Sequence, residues 1–246
     1  MRWWPLAVGL GAYAAALIAT APATLVDAGL RSESHGRLRL ADARGTLWSG
    51  TGQFEIRDAS GRTGLAQRLA WRFRPVALLR ARLGYELELG PGQRAFPVSI
   101  SRSRIELANA DIGFPAAALG LGVPKLAPLE LTGEVRLQVP SLSIGRRATL
   151  GSATLQWRAA GSALSPVSPL GDYELRLEGE GSVVHATLRT LQGPLQLTGQ
   201  GSWADGREPV FHATARVPPE FEQRLAPFLR LIAVERGDGS FELRMQ

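Results

Sequence analysis

With 246 residues, 45% of them apolar, and no cysteine, the chain can build one large or two small cored domains but no disulfide, zinc thiolate or thiol nucleophile. The net charge of +6 comes from 28 basic residues, of which only Lys125 is a lysine. They are scattered, without a like-charge block or an aromatic platform, so no nucleic-acid partner is indicated. The 28 glycines and 16 prolines exceed average usage and favour many turns between short strands.

From Trp3 to Val26 no residue is charged; Arg2 precedes the stretch and Asp27 ends it. About 20 helical residues cross a hydrocarbon core of roughly 30 Å. Residues 1–26 therefore read as a membrane anchor, a cytoplasmic tip plus one transmembrane helix. Trp3 and Trp4 suit an interface, and Gly9 and Gly11 leave a small-residue surface for another membrane helix. The rival is a cleaved signal peptide. Ala19-Thr20-Ala21 and Ala21-Pro22-Ala23 both have the small-residue spacing, but the apolar run is long for such a peptide and one arginine precedes it. The anchor is read as retained. Arg31, Arg37 and Arg39 follow soon after the span, so a count of positive charges does not set its orientation. The short tail before the span and the bulky portion after it place residues 27–246 outside the cytoplasmic membrane.

Beyond residue 36 the apolar period is two. Leu38 and Leu40 alternate with arginines, Phe54 and Ile56 with Gln53, Glu55 and Arg57. Leu69, Trp71 and Phe73 alternate with Arg68, Arg72 and Arg74, and Tyr85, Leu87 and Leu89 with Glu86 and Glu88. Val135, Leu137 and Val139 continue the pattern, as do 150–158, 173–177, 183–191 and 195–203. Such alternation predicts strands with one buried and one wet face. Helical spacing appears at Phe221, Leu225, Phe228, Leu229 and Ile232, after Pro218 and Pro219 and before Gly237. A shorter helix is predicted over 115–121. The expected class is mainly β: an N-terminal transmembrane helix, then an antiparallel, twisted or barrel-like sheet with one or two short helices.

The two halves of the sheet region repeat. "GQFEI" at 52–56 matches "GEVRL" at 133–137, "LAWRF" at 69–73 matches "LQWRA" at 155–159, and "GYELEL" at 84–89 matches "GDYELRL" at 171–177. "GSFEL" at 239–243 repeats the first motif after the helix. The expected organisation is an anchor over 1–26 and a β-rich domain over 27–246, duplicated as about 37–130 and 131–246.

Catalytic constellations are missing from the pattern. "ARGTLWSGTGQFEI" at 43–56 has glycine, serine and threonine around Trp48, but Ser49 lacks the flanking glycines of a nucleophile elbow. Gly45 and Gly50 have the spacing of a phosphate loop, yet Thr51 stands where the lysine is needed. The stretch reads as turns at a sheet edge, with Leu47 and Trp48 packed on a face. His35, His185 and His212 have no metal-ligand spacing; His185 and His212 are the pair that strands could bring together. Glu178 and Glu180 belong to one wet strand face, and Arg72 and Arg74 suggest ion pairs with Glu86 and Glu88. No catalytic residue, cofactor site or metal site is assigned. Trp48, Trp71, Phe73, Tyr85, Trp157 and Tyr173 are expected as structural core markers.

"GTLWSG" at 45–50 shortly after an apolar N-terminal segment, followed by the W-x-F-x-P strand end of Trp71, Phe73 and Pro75 with Leu78 and Leu79 just after, resembles the type II secretion system protein N family (general secretion pathway protein N). The resemblance implies a bitopic inner-membrane protein with a periplasmic domain. It further implies a non-catalytic accessory that contacts inner-membrane platform proteins or the outer-membrane secretin, and it carries over no catalytic residue. An independent alternative, from the alternating strands alone, is a periplasmic sheet whose apolar face binds or transfers lipid.

Overall fold

A computed structural model describes residues 3–57, 61, 63–146, 148–204, 210–232, 234–235 and 241–244. The chain divides into two compact units, Met1–Ala95 and Phe96–Gln246. Both are mainly antiparallel β-sheet, and the sequence similarity that suggests a duplication divides the chain elsewhere, at 130/131.

The first unit opens with α1 (Trp4–Ala19) and α2 (Thr24–Glu33). Strands β1 (Leu38–Gly45), β2 (Ser49–Arg57), β3 (Thr63–Arg74) and β4 (Leu83–Leu89) then pair in chain order. The registers Leu40↔Phe54, Gly50↔Trp71, Trp71↔Leu87 and Phe73↔Tyr85 gather the apolar positions on one face. Arg72↔Glu86 lies on the other. The alternation thus acts as expected, one apolar and one wet face. Ion pairing across β3 and β4 is more limited than the sequence suggests: Arg74 lies opposite Gly84 and Glu88 opposite Ala70, so only Arg72 directly faces a carboxylate.

The expectation of one transmembrane helix over residues 1–26 needs correction. No helix among the described residues is long and apolar enough to cross a membrane. At 1.5 Å per residue, the 16 residues of α1 reach about 24 Å, short of a roughly 30 Å core. The break is local chemistry. Pro22 has no N–H to donate to the carbonyl four residues earlier, at Ile18. The Thr20 hydroxyl turns back to the Ala16 carbonyl at 2.8 Å. Residues 22–30 then belong to the folded unit: Ala23 is 1% exposed and clusters with Leu40 and Trp71, with Val26 and Leu30 packed alongside. Helix α2 also covers the outer edge of β1. Asp27 accepts the Leu40 N–H at 2.8 Å and the Ser34 hydroxyl accepts the Leu38 N–H at 2.9 Å. An edge so blocked is no template for another strand.

The second unit contains β5 (Phe96–Ile100), β6 (Arg104–Pro115), β7 (Leu131–Gly145), β8 (Thr149–Ser162), β9 (Gly171–Gly181), β10 (Val183–Gln192), β11 (Gln196–Ala204) and β12 (Val210–Arg216). A short β13 (Val234–Glu235) and β14 (Phe241–Arg244) complete the order β5 through β12, then β14, then β13. Among the described residues, the first and last strands of neither unit pair with each other, so each sheet is open and the barrel alternative does not describe them. The predicted 115–121 helix is a 3-10 turn, Ala116–Ala118, running into the four-residue α3 (Leu119–Gly122). The predicted C-terminal helix is α4 (Pro219–Ile232). Each covers part of the apolar sheet face. Leu225, Phe228 and Leu229 of α4 are buried with Leu195 and Ala215, while Ala116 and the α3 region close over Leu131 and Val135.

Candidate functional site

A closely hydrogen-bonded local structure lies where α1 meets the β1–β2 hairpin. The hairpin residues are those of "GTLWSG". Gly45 turns with φ of 98°, a left-handed conformation that side chains rarely adopt. Thr46 closes the loop: its N–H donates to the Ser49 carbonyl at 2.9 Å, and its hydroxyl accepts from the N–H groups of Trp48 and Ser49, both at 3.2 Å. Gly50 leaves room for the Trp71 ring and the Arg44 carbonyl, into both of which a methyl group would run. These are turn duties, and they account for the small residues whose spacing approaches that of a phosphate loop.

The hairpin then grips the chain leaving α1. Pro22 and Thr46 form an antiparallel bridge. The Leu47 N–H donates to the Ala21 carbonyl at 2.8 Å, and the Ala23 N–H to the Gly45 carbonyl at 3.2 Å. The Trp48 indole N–H donates to the Ile18 carbonyl at 2.8 Å, the group that Pro22 leaves without its helical donor. Beneath, the Trp71 indole donates to the Thr46 carbonyl at 3.1 Å. The Trp48 ring meets Phe73 edge-on with centroids 4.7 Å apart, and Phe73 lies 5.5 Å from Tyr85. Burial pushes the Tyr85 phenol above its ordinary pKa. The sequence identifies Trp48 as a sheet-packing residue; its hold on the helix end was not legible without knowing which loop faces Pro22.

The second unit contains a counterpart. The Trp157 indole donates to the Thr132 carbonyl at 2.9 Å, across 25 residues, as Trp71 does to Thr46 across 25. Trp157 lies 6.0 Å from Tyr173, its opposite residue on β9. Of the six aromatic markers, Trp71 and Tyr173 are buried; Trp48, Phe73, Tyr85 and Trp157 are half-buried. The Tyr173 hydroxyl donates to the Leu195 carbonyl at 2.9 Å. Burial and then the nearby Asp172 carboxylate raise its pKa.

Ionisable groups form structural ladders. Glu174 sits between Gln156 and Arg189 in adjacent strands, accepting from them at 3.2 and 2.8 Å. Burial pushes its carboxyl pKa up, but the hydrogen bonds from Gln156 and Arg189 and the charges of Arg189 and Arg176 outweigh that and hold it below the usual value. Arg136 and Asp111 pair bidentately, at 2.7 and 2.5 Å. His185 and His212 lie on the two strands that flank β11, His185 opposite Ser202 and His212 opposite Gln200. Glu178 and Glu180 are exposed, and Glu178 pairs with Arg176 at 3.0 Å. Among the described residues no group of three metal-capable side chains converges. An open depression on the first unit is lined by Ser49, Thr51, Trp71, Arg72, Glu86 and Glu88, and no histidine lines it.

The profile of the family described as Type II secretion system (T2SS), protein N, matches residues 36–244. The chain belongs to this family. Over 258 aligned positions it is 27% identical to the Type II secretion system protein N of Aeromonas hydrophila, with 98% of the chain and 96% of that protein covered. No solved structure matches the chain. The T2SS protein N profile begins just before β1, so it covers the strands of both units and includes the hairpin that receives α1. As a T2SS protein N the chain is a component of protein secretion machinery, one that works with other proteins of that machinery, and its family is not a known enzyme family.

Proposed function

We propose that this T2SS component is held at the bacterial inner membrane by α1 and presents its sheet units in the periplasm. There they bind other secretion proteins, the inner-membrane platform or the outer-membrane secretin, without transforming a substrate. The observation that carries the reading is the state of α1. From Val8 to Ile18 its described side chains are all exposed, Leu10 at 70% and Ile18 at 59%, while its C-terminal end is docked into the hairpin. An apolar helix projecting from the fold it is tied to calls for a membrane or a protein partner. A bilayer accommodates a short apolar segment by local thinning and by interfacial side chains such as Trp3. Family membership supplies the machine.

Photocrosslinking of the full chain in intact cells tests this. Crosslinks to a platform protein or the secretin are expected, together with loss of folded enzymes from the medium when the gene is deleted. Unchanged export and no crosslinked secretion component would refute the proposal.

One observation favours the second reading, a lipid-binding sheet. In the second unit Leu137, Leu155, Leu175 and Leu188 align in register across β7 to β10 and are half-buried, and Leu177 and Val184 lie on the same face. Native mass spectrometry of detergent-free protein distinguishes the readings. Co-purifying phospholipid supports lipid binding; its consistent absence rejects it.

A further inference from the structure

The connection between β3 and β4 exposes a run of apolar side chains. It starts as a 3-10 helix, Pro75–Arg80. Val76 is 73% exposed, Leu78 52%, Leu79 88% and Leu83 41%. A single exposed leucine needs no explanation; four large apolar side chains within one short turn do. From Trp71 to Tyr85 the sequence has Arg72, Arg74, Arg80 and Arg82 and no acidic residue. Apolar side chains at the tip with guanidinium groups beside them are what a phospholipid interface accommodates: the apolar groups enter the acyl boundary while arginines meet phosphate oxygens.

Position decides the partner. Antiparallel order puts the β1–β2 hairpin and the β3–β4 turn at the same end of the four-stranded sheet, with Ser49 opposite Arg72. The Phe73 N–H donates to the Trp48 carbonyl at 2.6 Å, and Trp48 in turn holds Ile18. Two residues past Phe73 the exposed turn begins. It therefore stands beside the end of α1, on the side of the unit that faces whatever surface α1 enters.

We propose that the Pro75–Leu83 turn is a second membrane contact, dipping into the lipid interface next to α1 with Arg74 and Arg80 on anionic headgroups. Two contacts fix the tilt of the first unit where α1 alone would leave it free to swing. The proposal rests on the reading of α1 as a membrane segment, and the test separates the two.

The absence of native cysteine allows a single probe. Full-length chain with Leu79→Cys, labelled with an environment-sensitive nitrobenzoxadiazole dye, is reconstituted in phosphatidylethanolamine–phosphatidylglycerol vesicles carrying shallow doxyl lipid. Leu10→Cys on α1 and Gln53→Cys on the wet face serve as references. The residue-79 and residue-10 probes are expected to be blue-shifted and quenched by the doxyl lipid, and the residue-53 probe is not. Arg74→Glu with Arg80→Glu should abolish quenching at 79 and leave it at 10. Quenching at 10 without quenching at 79 overturns the second contact and leaves the anchor standing. No quenching at either position overturns both. Shielding of the residue-79 probe from aqueous iodide in native membranes, without doxyl quenching in vesicles, assigns the turn to a protein partner and overturns the lipid proposal.

Discussion

Trp48 donates its indole N–H to the Ile18 carbonyl at 2.8 Å, a bond spanning 30 residues that replaces the donor Pro22 cannot supply. One side chain thereby joins the apolar helix to the sheet. Around it the Pro22–Thr46 bridge and the Leu47–Ala21 hydrogen bond make residues 20–30 part of the first unit.

Substituting Trp48 should separate the bond from the packing. Trp48→Phe keeps a ring against Phe73 and loses the donor, at a cost of about 1 kcal/mol. Trp48→Ala loses both and should cost about 2–3 kcal/mol, less than a fully buried tryptophan because the ring is half-exposed. Thermal unfolding of full-length protein in detergent should rank wild type, phenylalanine and alanine in that order. Equal melting temperatures for all three would show the clasp carries no stability.

A chain beginning at residue 27 lacks Ala23, Val26 and the Pro22 bridge, and so opens a cavity over Leu40 and Trp71. One beginning at residue 20 retains them. Hydrogen exchange should show faster exchange in β1 and β3 for the shorter chain, while β7 to β9 of the second unit exchange equally in both.

Trp71 and Trp157 offer a matched pair. Each donates to a threonine carbonyl 25 residues earlier, and the two bonds share no partner. Trp71→Phe and Trp157→Phe should each cost about 1–2 kcal/mol, and the double variant should cost their sum within about 0.5 kcal/mol. Denaturant titration of the three variants checks this.

Glu174 predicts a pH dependence. Its pKa is lowered in the folded state, so its contribution is complete above the ordinary carboxylate range and is lost as pH falls through that range to its folded value. Glu174→Gln should flatten this loss in acid and cost about 1 kcal/mol at neutral pH, a modest figure because Arg189 is 61% exposed and can turn to water. Melting temperature against pH for both proteins is the measurement.

The alternation of Leu69, Trp71 and Phe73 and of Tyr85, Leu87 and Leu89 was enough to predict antiparallel strands and their buried face, because side chains on a strand alternate whatever the strand pairs with. The five apolar positions from Phe221 to Ile232 predicted α4 for the equally local reason of helical period. Strands β5, β6 and β12 escaped for different reasons: β5 is five residues long and contains Pro97, β6 mixes alanine, asparagine and glycine with its apolar positions, and β12 buries the small Ala213 and Ala215. Helix α2 was hidden by the apolar run it shares with α1. Nothing local to Ala23, Val26 and Leu30 distinguishes burial in lipid from burial against Leu40. That choice, the meeting of Trp48 with Ile18 and the pairing of Phe73 with Trp48 all rest on contacts between residues far apart in the chain. Periodicity reveals which face of an element is apolar; the folded chain alone determines what that face meets.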